Sequence, residues 1–113
     1  MIYRIAESTD WQQARQSGYF VSADLAAEGF IHLSELHQVL RTANKYYRDK
    51  EDLVLLEIDE ALLAEKIIRE DLTASGACYP HSYAPIPVRA IVREFHFAES
   101  PERGYCLPGG LES

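Results

Sequence analysis

The chain is 113 residues long, 47% hydrophobic and 26% charged, which fits one ordinary globular domain and excludes wholesale disorder or a fibrous architecture. Eighteen acidic residues against eleven basic ones give a formal charge of -7, so the basic surface that non-specific nucleic-acid binding needs is missing. A few placed arginines or a helix N-terminus can still hold a single phosphate.

In chain order, Ile2 to Ala6 reads as a strand, and Thr9-Asp10-Trp11-Gln12 has the spacing of a capping box opening a helix that ends at Gly18, with Trp11 and Ala14 inward. Ser22 to Gly29 is a capped single turn, and Phe30 to Leu33 a short strand. Leu36, Val39, Leu40, Ala43 and Tyr47 form an amphipathic stripe, which predicts one helix with Ser34 as its cap. Leu53 to Ile58 is nearly continuous in apolar residues, the pattern of a central strand buried on both faces.

Asp59 is placed to cap a short helix, after which Ile67-Ile68-Arg69-Glu70 is extended. Pro80, Pro85 and Pro87 predict a stiff extended loop presenting His81 and Tyr83, followed by a last strand from Val88 to Phe97. Residues 1–97 are expected to form a single α/β domain and residues 98–113 a loosely attached tail. The N-terminus has no signal-peptide layout and no apolar run is long enough to cross a bilayer, so a cytoplasmic protein is expected, with no membrane partner and with Cys78 and Cys106 as free thiols.

Four features carry candidate chemistry. His32 shares a strand face with Phe30 and Ser34. It reads either as an acid, base or ribose-binding group, or as a core histidine satisfied by backbone. Ser34 reads as a cap or, with the free N–H groups of the following turn, as a ligand for a polar group. His81 and Tyr83 are two residues apart and aimed together, either as a phosphate- or hydroxyl-binding imidazole beside a stacking ring or as a plug over the sheet edge. Arg4, Arg69 and Glu70 are charges inside predicted strands, for which a solvated edge is the plain explanation. His and Cys spacings do not complete a metal site, and no Gly-x-Ser-x-Gly, GxGxxG or Walker pattern occurs.

The runs Gly29-Phe30-Ile31-His32-Leu33-Ser34, Thr42-Ala43-Asn44, Asp52 to Leu56 and Pro80-His81-Ser82-Tyr83-Ala84-Pro85-Ile86-Pro87 resemble the bacterial family called domain of unknown function 952, over residues 1 to about 97. That family often has Leu and Gly where this chain has Ser82 and Ala84. A more distant resemblance, carried by the helix ending at Gly18 and Ile31-His32-Leu33-Ser34, is to transferases that remove an RNA 2′-phosphate using NAD, which have the ADP-ribosyltransferase fold. It implies an α/β (α+β) fold with a strongly bent mixed sheet of about five or six strands and flanking helices.

The same resemblance implies NAD or another ADP-ribose compound as substrate, with no other cofactor firmly expected. Arg4 and the turn after Ser34 would hold phosphates, His32 would bind ribose, Tyr83 would stack on a ring and His81 would assist transfer. In those transferases a first-strand histidine grips the nicotinamide ribose, whereas here the matching region is Tyr3-Arg4-Ile5, and Glu70 is the candidate taken for the last catalytic group. Three readings stay open: an NAD-dependent transferase-like enzyme with His32 and His81 catalytic, a binding module for a small polar or nucleotide-like ligand that has lost the chemistry, and an interaction domain using Tyr46-Tyr47.

Overall fold

The computed structural model describes residues 1–111. Its elements are β1 (Ile2–Glu7), α1 (Ser8–Ser17), β2 (Tyr19–Phe20), α2 (Ala23–Glu28), β3 (Ile31–His32), α3 (Val39–Tyr46), β4 (Leu53–Ile58), β5 (Ile67–Glu70), β6 (Tyr79–Ser82), β7 (Ile86–Pro87), β8 (Ile91–Phe97), β9 (Glu99–Ser100) and β10 (Gly104–Tyr105). Short 3-10 turns occupy Leu36–Gln38, Glu60–Leu62 and Val88–Ala90.

The apolar run of β4 is central, as its pattern predicts, and lies between β1 and β8 with both pairings antiparallel. Alternation along β1 and β4 then makes two cores. Ile2, Ala6, Leu56 and Ile58 face one side, under Trp11 and Ala14 of α1 together with Phe20, Ile31 and Ile86. Tyr3, Ile5, Leu53 and Leu55 face the other, under Val39 and Ala43 of α3, Phe97 and Tyr105. A polar residue anywhere in this strand would therefore be buried, which makes Glu57 notable.

A second three-stranded sheet has the order β3-β6-β5, again antiparallel. One bridge joins it to the first: the Tyr3 N–H donates to the Ser34 carbonyl and the Ser34 N–H to the Tyr3 carbonyl, each at 2.8 Å. The single mixed sheet expected from the sequence is thus corrected to an α+β fold with several sheets, including the small pairs β2-β7 and β10-β9, whose strand pairings among the described residues are all antiparallel. The pairing between the two larger sheets stops at this one bridge, and the chain beyond Ser34 runs directly into the Leu36–Gln38 turn.

Three local expectations are also corrected. Helix α1 begins at Ser8, with no side-chain cap, because the Ser8 N–H and hydroxyl both donate to the Asp52 carbonyl and hold the start of the helix against the strand next door. The stripe at Leu36–Tyr47 is a 3-10 turn followed by an α-helix and is not capped by Ser34. The cap is instead Glu35, in a capping box with buried Gln38, which turns back to accept the Glu35 N–H at 3.0 Å and donates to the Cys78 carbonyl at 2.8 Å. The proline segment is not a loop at His81, since Tyr79–Ser82 is the middle strand of its sheet.

The C-terminal segment is docked rather than loose over the described residues. Tyr105 and Leu111 are buried in the α3-side core, and the Tyr105 ring stacks on Phe97 at 4.8 Å. Asn44 accepts the Tyr105 N–H, and it can approach only because Gly104, at a φ of +73°, has no Cβ, which would sit 2.7 Å from the Asn44 Oδ1. Among the described residues no helix is long and apolar enough to cross a membrane.

Candidate functional site

In the β3-β6-β5 sheet, His32 lies directly opposite His81, and Ile68 lies opposite His81 on the other side. Directly paired residues share a face, so these three point one way while Ile31, Ser82 and Ile67 point into the core. Period two then brings Phe30, Glu70 and Tyr83 to the same outward face. The sequence places His32 and His81 on separate segments, and strand register alone makes them neighbours.

The two imidazoles meet edge to face with centroids 5.4 Å apart. The Phe30 ring stacks on His81 at 4.1 Å and lies 4.8 Å from His32 and 5.4 Å from Tyr83. His81 is sealed beneath these groups, with 6% of its side chain exposed against 48% for His32. The arrangement therefore has one protected and one accessible imidazole.

Each ring is tied through Nδ1 to a carboxylate. His81 Nδ1 lies 2.7 Å from the Glu70 Oε1, and the Tyr83 hydroxyl donates to that same oxygen. The Tyr83 bond, and after it the His81 bond, holds the Glu70 carboxyl below the usual glutamate range, and the same carboxylate pushes the Tyr83 phenol up. His32 Nδ1 lies 2.9 Å from the Asp24 Oδ2, and its Nε2 lies 3.7 Å from Glu28 across one turn of α2. Burial works against the Asp24 charge, yet bonds from the His32 ring and backbone, the Arg4 guanidinium and Ser22 outweigh it and hold its carboxyl far below the usual aspartate range.

Arg4 stands behind this cluster. Its NH1 donates to Asp24 at 2.8 Å and to the His32 carbonyl at 3.0 Å, and its Nε is buried without a partner. NH1 is thus committed to this cluster, while the Nε edge of the guanidinium is not hydrogen-bonded. Ser34 is buried at the bridge to Tyr3, and its hydroxyl donates to Thr42 at 3.5 Å. Of the six residues singled out in the sequence, His32, His81, Glu70 and Tyr83 thus come together, Arg4 reaches them only through Asp24 and a backbone carbonyl, and Ser34 stays apart.

Asp24 and Glu28 were missed. Their signal is an acid in the first and last turns of a six-residue helix, which looks the same as ordinary helix-end charge. Glu28 sits on the unfavourable end for that role, the one hint the sequence offers.

Two hollows, about 450 Å³ between residues 49–52 and 96–99 and about 330 Å³ along residues 60–67, lie outside the cluster. Among the described residues no group of three or more His, Cys, Asp and Glu side chains is placed to hold a metal ion.

Comparison with known proteins places the chain in context. Residues 5–94 match the family model described as Protein of unknown function (DUF952). The crystal structure of protein CC0527 from Caulobacter crescentus is 35% identical, covers 93% of this chain and 92% of its own, and superimposes with a TM-score of 0.83. The solution structure of CC0527 is 36% identical, covers 92% and 89% respectively, and gives a TM-score of 0.78. No curated protein sequence matches.

Proposed function

We propose that this chain, which belongs to the DUF952 family of proteins of unknown function, is an enzyme that breaks the glycosidic bond of an ADP-ribose compound, with NAD as its substrate. Two antiparallel sheets joined at the Tyr3–Ser34 bridge support the likeness to the split sheet of ADP-ribosyltransferases. The observation that carries the reading is Glu70, a carboxylate shared by His81 and Tyr83 on the sheet face that also carries the accessible His32, whose ring meets His81.

Breaking the ribosyl C1′–nicotinamide bond sends the electron pair to the leaving ring, which becomes neutral, and leaves positive charge on the ribosyl carbon. A fixed carboxylate near that carbon lowers the barrier because the charge it meets exists only in the transition state. Glu70 is held in place for that role. Tyr83, 46% exposed, offers a ring face for the nicotinamide. Water or another hydroxyl then bonds to C1′, and its proton passes to His32 Nε2.

The Arg4 NH1 is engaged with Asp24 and the His32 carbonyl and the Ser34 side chain is buried, so a phosphate held by Arg4 would meet the Nε edge of its guanidinium. The test is nicotinamide release from NAD measured by chromatography, alongside thermal shift with NAD, ADP-ribose and 2′-phosphorylated nucleotides. Release that falls by about 10²-fold or more in His32→Ala and His81→Ala is expected. A ligand-dependent rise in melting temperature without release makes the chain a binding module instead. No response of either kind overturns the site.

A further inference from the structure

We infer that Asp24 is a positioning residue that fixes His32 in the tautomer with its proton on Nδ1, so that Nε2 is the atom that accepts a proton. The inference rests on the reading of His32 given above and adds a residue to it.

The geometry leaves one arrangement of protons. Asp24 Oδ2 meets the His32 Nδ1 at 2.9 Å, the His32 backbone N–H at 2.9 Å and the Arg4 NH1 at 2.8 Å. An ionised carboxylate oxygen only accepts, so Nδ1 must donate, and in a neutral ring Nε2 then carries the lone pair. The Ser22 hydroxyl bonds the other Asp24 oxygen, which prevents the carboxylate from rotating away.

The grip also fixes the ring's orientation. Asp24 binds the backbone N–H and the ring of the same residue, while Arg4 binds that residue's carbonyl, so His32 is clasped at three points by β1 and α2. Asp24 stays ionised throughout the working pH range because the surrounding donors hold its carboxyl so low. The charged groups facing His32 are Arg4 from β1, Asp24 and Glu28 from α2, and the titratable His81 from β6. Glu28 lies 3.7 Å from Nε2. Orientation and proton acceptance therefore both trace to one short helix, α2, that carries no buried residue.

The test begins with the unmodified protein, so it does not depend on a variant that folds. Ring 15N spectra recorded about two units above the ordinary histidine pKa of ~6.5 should show the His32 proton on Nδ1. A His32 ring protonated on Nε2 overturns the inference. Asp24→Asn replaces one acceptor by an amide whose NH₂ can donate to Nδ1, so it should shift the ring towards the Nε2–H form. It should also lower kcat for nicotinamide release by about 10–100-fold, with KM within about twofold. A folded Asp24→Asn protein that keeps both the parent tautomer and the parent kcat overturns it as well. A parent that releases no nicotinamide overturns the proposed reaction, and the ring spectrum still decides the role of Asp24.

Discussion

The molecule contains the same polar unit twice, once in each large sheet, and the two differ in what holds the carboxylate. In the β1-β4-β8 sheet, Glu57 accepts from the Tyr3 hydroxyl at 2.7 Å and from Arg93 through Nε at 2.6 Å and NH2 at 2.9 Å. In the β3-β6-β5 sheet, Glu70 accepts from the Tyr83 hydroxyl and pairs with His81. A guanidinium never gives up its proton at ordinary pH, whereas an imidazole does. The Glu57 side chain is 4% exposed and that of Glu70 22%. A permanently charged partner and a buried carboxylate make a structural clamp, and a titratable partner with a partly exposed carboxylate makes a group that can meet a substrate.

Charge removal should separate the two most strongly. Glu70→Gln is expected to reduce nicotinamide release by about 10²–10⁴-fold while leaving the urea midpoint near the parent value. Glu57→Gln should do the reverse. It strips the buried partner from Arg93 and should cost about 2–3 kcal/mol in urea unfolding, with release from NAD unchanged. If Glu57→Gln abolishes release without loss of stability, the distinction between clamp and site fails.

Arg93→His converts the clamp into a copy of the other unit. A histidine that gains a carboxylate partner on folding has its folded pKa above its unfolded value, so its contribution is complete below about 6.5 and is lost as pH rises through the folded value. The variant's stability should therefore fall across neutral pH while the parent's stays level, which thermal melts at a series of pH values would show. A flat profile would mean that position 93 does not communicate with Glu57.

The smallest effect comes from the tyrosines. Burial first, then the bond to Glu57, pushes the Tyr3 phenol up to about 12. Its folded pKa lies above the unfolded value near ~10, so its stabilising share is present below that and is lost as pH climbs towards the folded value. Alkaline melts should show this loss in the parent and not in Tyr3→Phe, with a difference of roughly 1–2 kcal/mol at neutral pH. Tyr83→Phe should remove a loss of the same sign but smaller size, because the Tyr83 phenol is also pushed up by Glu70 yet is nearly half exposed.

Much of the fold could be read along the chain. The apolar run at β4, the Trp11 and Ala14 stripe, the Asp59 cap that accepts the Ala61 N–H, and the turn at Gly29 with its positive φ all follow from local pattern. Half of the candidate site was equally legible, since an imidazole inside an apolar strand and a second one beside prolines stand out by type. Asp24 was not legible, because a carboxylate in a short helix is unremarkable until the backbone N–H and ring of His32 are found on it. Docking of the last residues was hidden for the same kind of reason: Tyr105 and Leu111 sit among polar and turn-forming neighbours, and only α3 and Phe97 show what they pack against.

Hydrophobic period and turn chemistry are properties of neighbouring residues, so the sequence by itself determined the longer elements β1, α1, β4 and β8 and the buried stripe of α1, but not that Tyr79–Ser82 is a strand or that Tyr105 is buried. Which charged group meets which is a property of strand register and of the bridge between sheets, both set by packing between distant segments. The pairing of His32 with His81, the capture of Glu70 by Tyr83 and the employment of Arg4 on Asp24 belong to that second kind. Only the tertiary structure decided them, because a hydrogen bond depends on tenths of an ångström and no spacing along a chain supplies that.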